Sequence, residues 1–143
     1  MVHIANKETN KEIIIYFNFM EEKKILFIED ESALQKAFGD FLKQKNYKVI
    51  SAVDGEQGVR LAETEQPDLI LLDLILPRKS GFEVLEALKQ NPLTKEIPVI
   101  VLTNLEEMEN IEKALNLGAM TYLVKANYNL EEVLAKVERA LEA

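Results

Sequence analysis

The chain has 143 residues, 48% hydrophobic and 29% charged, a composition that predicts one globular domain around one core. A net charge of -8 gives no basic footprint for nucleic acid or for an anionic membrane surface, so neither is expected to bind this chain alone. The absence of cysteine excludes disulfides and thiolate metal sites, fits a cytoplasmic protein, and leaves hard, oxygen-ligated cations open.

The first stretch, residues 1–22, does not match the rest. A polar segment from Asn6 to Glu12 leads into the apolar run Ile13–Phe19, which is too short to span a membrane. Lys7, Glu8, Lys11 and Glu12 balance one another and no small-residue cleavage site follows, which argues against a secretory signal. The stretch reads as an extension outside the core domain, residues 23–143, and His3 as a bystander within it.

From Lys23 onward strand and helix signals alternate, the pattern of βαβ units and a parallel sheet. The expected strands are Lys24–Ile28, Tyr47–Ala52, Leu69–Leu72, Pro98–Leu102 and Thr121–Val124. The first helix begins at Ser32-x-x-Gln35, a capping-box pattern, and carries Leu34, Phe38, Phe41 and Leu42 at helical spacing. The second starts near Asp54-Gly55 and stops before Pro67; the third starts at Ser80 and stops around Asn91-Pro92. The fourth runs from about Glu106 to Leu117, with Asn104 as a candidate cap and Gly118 as a left-handed terminator. The last begins at Asn129-x-x-Glu132, and its stripe of Leu130, Val133, Leu134, Val137 and Leu141 ends the domain with nothing left over for an effector.

Five such units with right-handed crossovers wind most economically as a doubly wound sheet in the order 2-1-3-4-5. Ligands bind at the carboxyl ends of such strands, where the order reverses. The apolar run Ile25–Ile28 ends on Glu29-Asp30-Glu31, and the run Leu69–Leu72 ends on Asp73, so in this order the acids share one cleft. Thr103 and Lys125 end the two strands beyond. Clustered carboxylates need a proton or a cation to be stable together, and a mostly carboxylate oxygen set favours Mg²⁺. An Asp left free can accept a phosphoryl group as an acyl phosphate, with the cation, Lys125 and Thr103 neutralising the phosphoryl oxygens. Glu31 reads as a solvated loop residue. Singly, each acid is more often a cap or turn residue; with Lys125 that reading loses ground.

Residues 23–141 resemble a receiver domain of the two-component response regulators, of the stand-alone type with a flavodoxin-like three-layer fold. The resemblance rests on Glu29-Asp30, Asp73, Pro77 and Gly81 at the family's spacing, Thr103, Tyr122 and Lys125. It implies that Asp73 accepts a phosphoryl group from a phosphohistidine of a sensor histidine kinase or phosphotransfer protein. Glu29 (through water), Asp30, Asp73 and the backbone carbonyl of Ile75 would hold Mg²⁺ or Mn²⁺. Lys125 would pair with the phosphoryl group and Thr103 would move to bond it. Tyr122 would follow inward, reshaping a face read by a downstream protein target. On this reading the chain is a self-catalysed phosphoacceptor and not an enzyme with a separate substrate.

Four residues depart from the family pattern or tune it. Ala126 stands where proline usually follows the lysine, and because a non-proline cis bond costs about 2.5–4 kcal/mol, a trans Lys125–Ala126 bond with Lys125 still reaching Asp73 is expected. Asn104 replaces a small residue and would alter access of the phosphodonor. Ile75 and Leu105 flank the site with apolar groups that cannot order an attacking water, which predicts a long-lived acyl phosphate. Three rivals stand beside the resemblance: a flavodoxin-like cofactor binder, a haloacid-dehalogenase-like phosphatase, and a degenerate receiver acting as a phosphorylation-independent interaction module. Glu29-Asp30-Glu31 would repel the phosphate of the first, and Ile75 occupies the position where the second needs an acid.

Overall fold

The computed structural model describes residues 11–12, 22–104 and 108–142. Five strands, Lys24–Ile28 (β1), Lys48–Ala52 (β2), Leu69–Asp73 (β3), Val99–Thr103 (β4) and Thr121–Val124 (β5), form one parallel sheet in the order β2-β1-β3-β4-β5. Helices α1 (Ser32–Gln44) and α5 (Leu130–Glu142) cover one face. Helices α2 (Gly55–Glu65), α3 (Gly81–Gln90) and α4 (Met108–Asn116) cover the other. The doubly wound order expected from the alternation is therefore the one observed.

The sheet divides the core in two. Ile25, Phe27, Leu69, Leu71, Ile100 and Leu102 pack with Leu34, Phe38 and Leu42 of α1 and Val133 and Val137 of α5. Leu26, Ile28, Ile70, Leu72, Val99 and Val101 pack with Ala62, Val84, Leu85, Leu88 and Ala114 of the opposite helices. Both phases of β3 and β4, and nearly all of β1, are apolar because these central strands have helices on both sides. Edge strands β2 and β5 are only partly buried, and their sequences are correspondingly mixed.

Several boundaries have clear causes. Asp54 caps α2 by accepting from Gln57 N at 2.8 Å, and Ser80 caps α3 by accepting from Glu83 N at 3.2 Å. Asn129 caps α5, accepting from Glu132 N at 2.7 Å, and Gly118 follows α4 with φ of 111°. Gly81 is required by a close approach: a Cβ there would stand 2.4 Å from both Asp73 O and Leu74 Cα, so α3 can abut the end of β3 only without a side chain.

The structure also corrects the sequence reading. Tyr47 precedes β2, its N–H donating to Leu42 O to finish the turn after α1. Pro98 precedes β4, where its carbonyl accepts from Ile70 N, and Asp73 and Thr103 are the last residues of their strands. The capping box is absent: Glu31 is the N-cap residue and makes no side-chain cap bond, so Ser32 is already helical and Gln35 lies a residue too far along. The extension at 1–22, apart from residues 11, 12 and 22, and Leu105 lie outside the described residues, as does the first turn expected for α4 after Asn104. No helix among the described residues is long and apolar enough to cross a membrane.

Candidate functional site

Because β1 and β3 are adjacent in register, with Ile28 beside Leu72, the residues that follow them meet at the top of the sheet. Glu29 and Asp73 continue the phase of Phe27 and Leu71, which turns both toward the α1 and α5 side. One carboxylate oxygen each from Glu29, Asp30 and Asp73 lies within 4.8 Å of the others. Glu29 is fully buried, Asp73 nearly so, and Asp30 is exposed at the mouth. Together with Glu31, Ile75, Asn104 and Lys125 they line an open cleft of about 380 Å³.

Lys125 enters from the end of β5. Its Nζ donates to Asp73 Oδ2 at 3.0 Å and stands 2.5 Å from Glu29 Oε1. The buried Oε1 is paired with this ammonium and has no further partner among the described residues. The other oxygens are held by backbone: Glu31 N donates to Glu29 Oε2 at 3.0 Å, and Ile75 N to Asp73 Oδ1 at 3.1 Å. No peptide bond among the described residues is cis, so Lys125–Ala126 is trans as expected, and Lys125 opens a short 3₁₀ turn, Lys125–Asn127.

Burial sets the electrostatics. It pushes the Glu29 carboxyl from 4.5 to about 7; the Lys125 ammonium and the Glu31 N–H pull it down, and Asp73 adds to the rise. Burial acts against the charge of Lys125, but Glu29 and Asp73 outweigh it and hold the ammonium above its ordinary range. Lys125 therefore stays charged, and Glu29 holds a proton well above the usual carboxylate range.

Thr103 is buried at the end of β4, beside Val124 in register. Tyr122 pairs with Val101 and shares that phase, half-buried against the core on the α2–α4 side. Lys136 of α5 lies over its ring at 5.1 Å from the centroid and donates to Tyr122 O at 2.6 Å. Ile75 is 61% exposed at the cleft edge.

The profile of the response regulator receiver domain matches residues 25–138. The chain belongs to the receiver domain family. Among curated relatives of this receiver, the DNA-binding dual master transcriptional regulator RpaA of Synechocystis is 40% identical over 82% of the chain and 48% of its own length. The alkaline phosphatase synthesis regulator PhoP of Bacillus subtilis is 40% identical over 83% and 48%. The receiver thus spans about half the length of these relatives. Among solved structures, a CheY-like receiver from Methanospirillum hungatei is 31% identical with a TM-score of 0.78, covering 85% of this chain and 95% of that one. The receiver domain of a Pseudomonas aeruginosa sensor histidine kinase, solved with magnesium coordinated in its active site cleft, is 28% identical with a TM-score of 0.80, covering 86% and 100%.

The residues of this receiver fit a divalent cation. Three carboxylates converge, one of them exposed to solvent, which gives the oxygen donor set that a hard divalent cation takes. The sequence reading gave Gln35 a capping role and missed what its amide does, which is to contact three backbone carbonyls beneath the acidic loop. No local pattern could reveal it, because two of those carbonyls come from other elements.

Proposed function

We propose that Asp73 accepts a phosphoryl group from the phosphohistidine of a sensor histidine kinase or phosphotransfer protein. The observation that carries this is the buried Asp73 carboxylate, bonded to Lys125 at 3.0 Å and backed by the Glu29 and Asp30 carboxylates at the mouth of one cleft. A carboxylate oxygen of Asp73 attacks phosphorus, the P–N bond breaks, and the imidazole leaves with the electron pair and takes up a proton. Glu29, Asp30, Asp73 and the Ile75 carbonyl would hold Mg²⁺ or Mn²⁺. The cation would neutralise charge on the phosphoryl oxygens.

Lys125, already paired with Asp73, stays near the phosphoryl group and offsets its charge. Thr103 and Tyr122 are the switch: a phosphoryl group adds about -1.5 to -2 of charge, Thr103 turns to bond it, and the ring of Tyr122 follows. The protein passes its signal to a protein target and has no separate substrate. A cytoplasmic location belongs to the same reading.

The test is incubation with acetyl phosphate and Mg²⁺, read by intact mass. One phosphoryl adduct is expected in the parent, none in Asp73→Asn, and none in EDTA. An unmodified parent at high donor concentration would overturn the proposal in favour of an interaction module independent of phosphorylation.

A further inference from the structure

The proposed site depends on where the loop Glu29-Asp30-Glu31 lies, and the backbone bonds that fix this loop are few. Glu29 N donates to Ala52 O at 2.9 Å, and Glu31 O accepts from Gln35 N at 3.0 Å. The Gln35 side chain supplies a further tie. Its Nε2 lies 2.9 Å from Phe27 O, 3.1 Å from Glu29 O and 3.1 Å from Ala52 O. Its Oε1 accepts from Ser51 Oγ at 2.9 Å. An amide nitrogen has two N–H donors, so the three carbonyls share them. The Ser51 hydroxyl, by donating to Oε1, turns the nitrogen toward the carbonyls.

One side chain thus joins the end of β1, the acidic loop and the end of β2 from a backbone on α1. Gln35 does not line the cleft, so any effect on the site passes through the main chain of Glu29. A carboxylate held on a correctly placed backbone is preorganised for a cation; one on a loose loop must be ordered when the cation binds.

We infer that Gln35 is a positioning residue for the divalent cation site. It fixes the Glu29 backbone and, through it, the direction of the Glu29 and Asp30 carboxylates, and Ser51 orients its amide. This rests on the cation-dependent reading above, but it is tested by binding and not by phosphoryl transfer alone.

Calorimetric titration with MgCl₂ of the parent, Gln35→Leu and Ser51→Ala, each with a urea melt to establish folding, decides it. Gln35→Leu is expected to weaken Mg²⁺ binding roughly tenfold and Ser51→Ala about threefold, the size of effect typical when a ligand loses its outer support. At a subsaturating Mg²⁺ concentration the Gln35→Leu protein should take up phosphoryl from acetyl phosphate more slowly than the parent, and raising Mg²⁺ should narrow the gap. A folded Gln35→Leu protein that is less stable yet binds Mg²⁺ as the parent does has lost only a structural contact, which overturns the inference. If Gln35→Leu does not fold, an unchanged Mg²⁺ affinity in Ser51→Ala overturns it instead. A parent that binds Mg²⁺ but forms no Asp73-dependent adduct overturns the proposed function and leaves the role of Gln35 standing on the binding data; a parent that binds no Mg²⁺ overturns both.

Discussion

Raising the pH of the metal-free protein from about 5 to about 8 will weaken its fold through Glu29. The carboxyl is fully buried, and its pKa rises from 4.5 to about 7, chiefly because burial penalises the charged form. A folded pKa above the unfolded one means that the native protein binds more protons between those two values. The associated stability is fully present below the unfolded value and is lost as pH rises through about 7. Integrated over that interval, the loss attributable to this one group is roughly 2–3 kcal/mol. Urea unfolding in EDTA, followed by circular dichroism at several pH values for the parent and for Glu29→Gln, isolates it. The parent should lose stability relative to the variant across this range, most steeply between the unfolded and folded values and levelling off above about 7. Added Mg²⁺ should recover most at the alkaline end, where the cation need not displace a proton. Parallel pH profiles for the two proteins would refute the reasoning, because they would mean that Glu29 is ionised throughout.

Lys125→Met removes the ammonium that bridges the Glu29 and Asp73 carboxylates, and near neutral pH the metal-free protein should lose about 2–4 kcal/mol, part of which Mg²⁺ restores in a urea melt. Gly39 is buried within α1, yet a Cβ there would meet nothing within 4 Å, so Gly39→Ala should stabilise by about 0.5–1 kcal/mol in the same assay. Ile75, exposed at the cleft edge, cannot hydrogen-bond an attacking water, and Ile75→Gln should shorten the lifetime of the phosphorylated protein severalfold by intact mass. A parent that already decays fast, at a rate Ile75→Gln leaves unchanged, would remove that explanation.

The fold was legible because its signals are local or follow from general topology. Apolar runs such as Leu69–Leu72 mark strands with helices on both sides, caps at Asp54, Ser80 and Asn129 mark helix starts, and alternation with right-handed crossovers leads to the sheet order. That order in turn brings Glu29, Asp30, Asp73 and Lys125 together. What stayed illegible depends on contacts between distant segments. Ser32-x-x-Gln35 fits a capping box by spacing, but the chain enters α1 at Glu31, and Gln35 is drawn to the carbonyls of β1 and β2 instead. The 2.4 Å clearance that demands Gly81 arises only once α3 is packed against the end of β3. The buried, proton-binding character of Glu29 needs the surrounding core, since by sequence it is one of three consecutive acids.

Ala126 draws these strands together. Where a proline would restrict the backbone after the lysine, this chain has a trans bond into a short 3₁₀ turn, and the ammonium is nevertheless brought to the cleft. What aims it is the pair of carboxylates it meets, Glu29 from the end of β1 and Asp73 from the end of β3. The two ion pairs hold the ammonium at the cleft on this trans backbone. Protonation of Glu29 would weaken one of its two attractions; on the proposed function a cation would compete for both acids, and a phosphoryl group on Asp73 would supply a stronger attraction. On that function, an ammonium shared in this way would pair with the phosphoryl oxygens in place of Glu29, and Glu29 would be among the residues that hold the cation. Exchange of partners at Lys125 would then, on the proposed function, couple loading of Asp73 to binding of the cation.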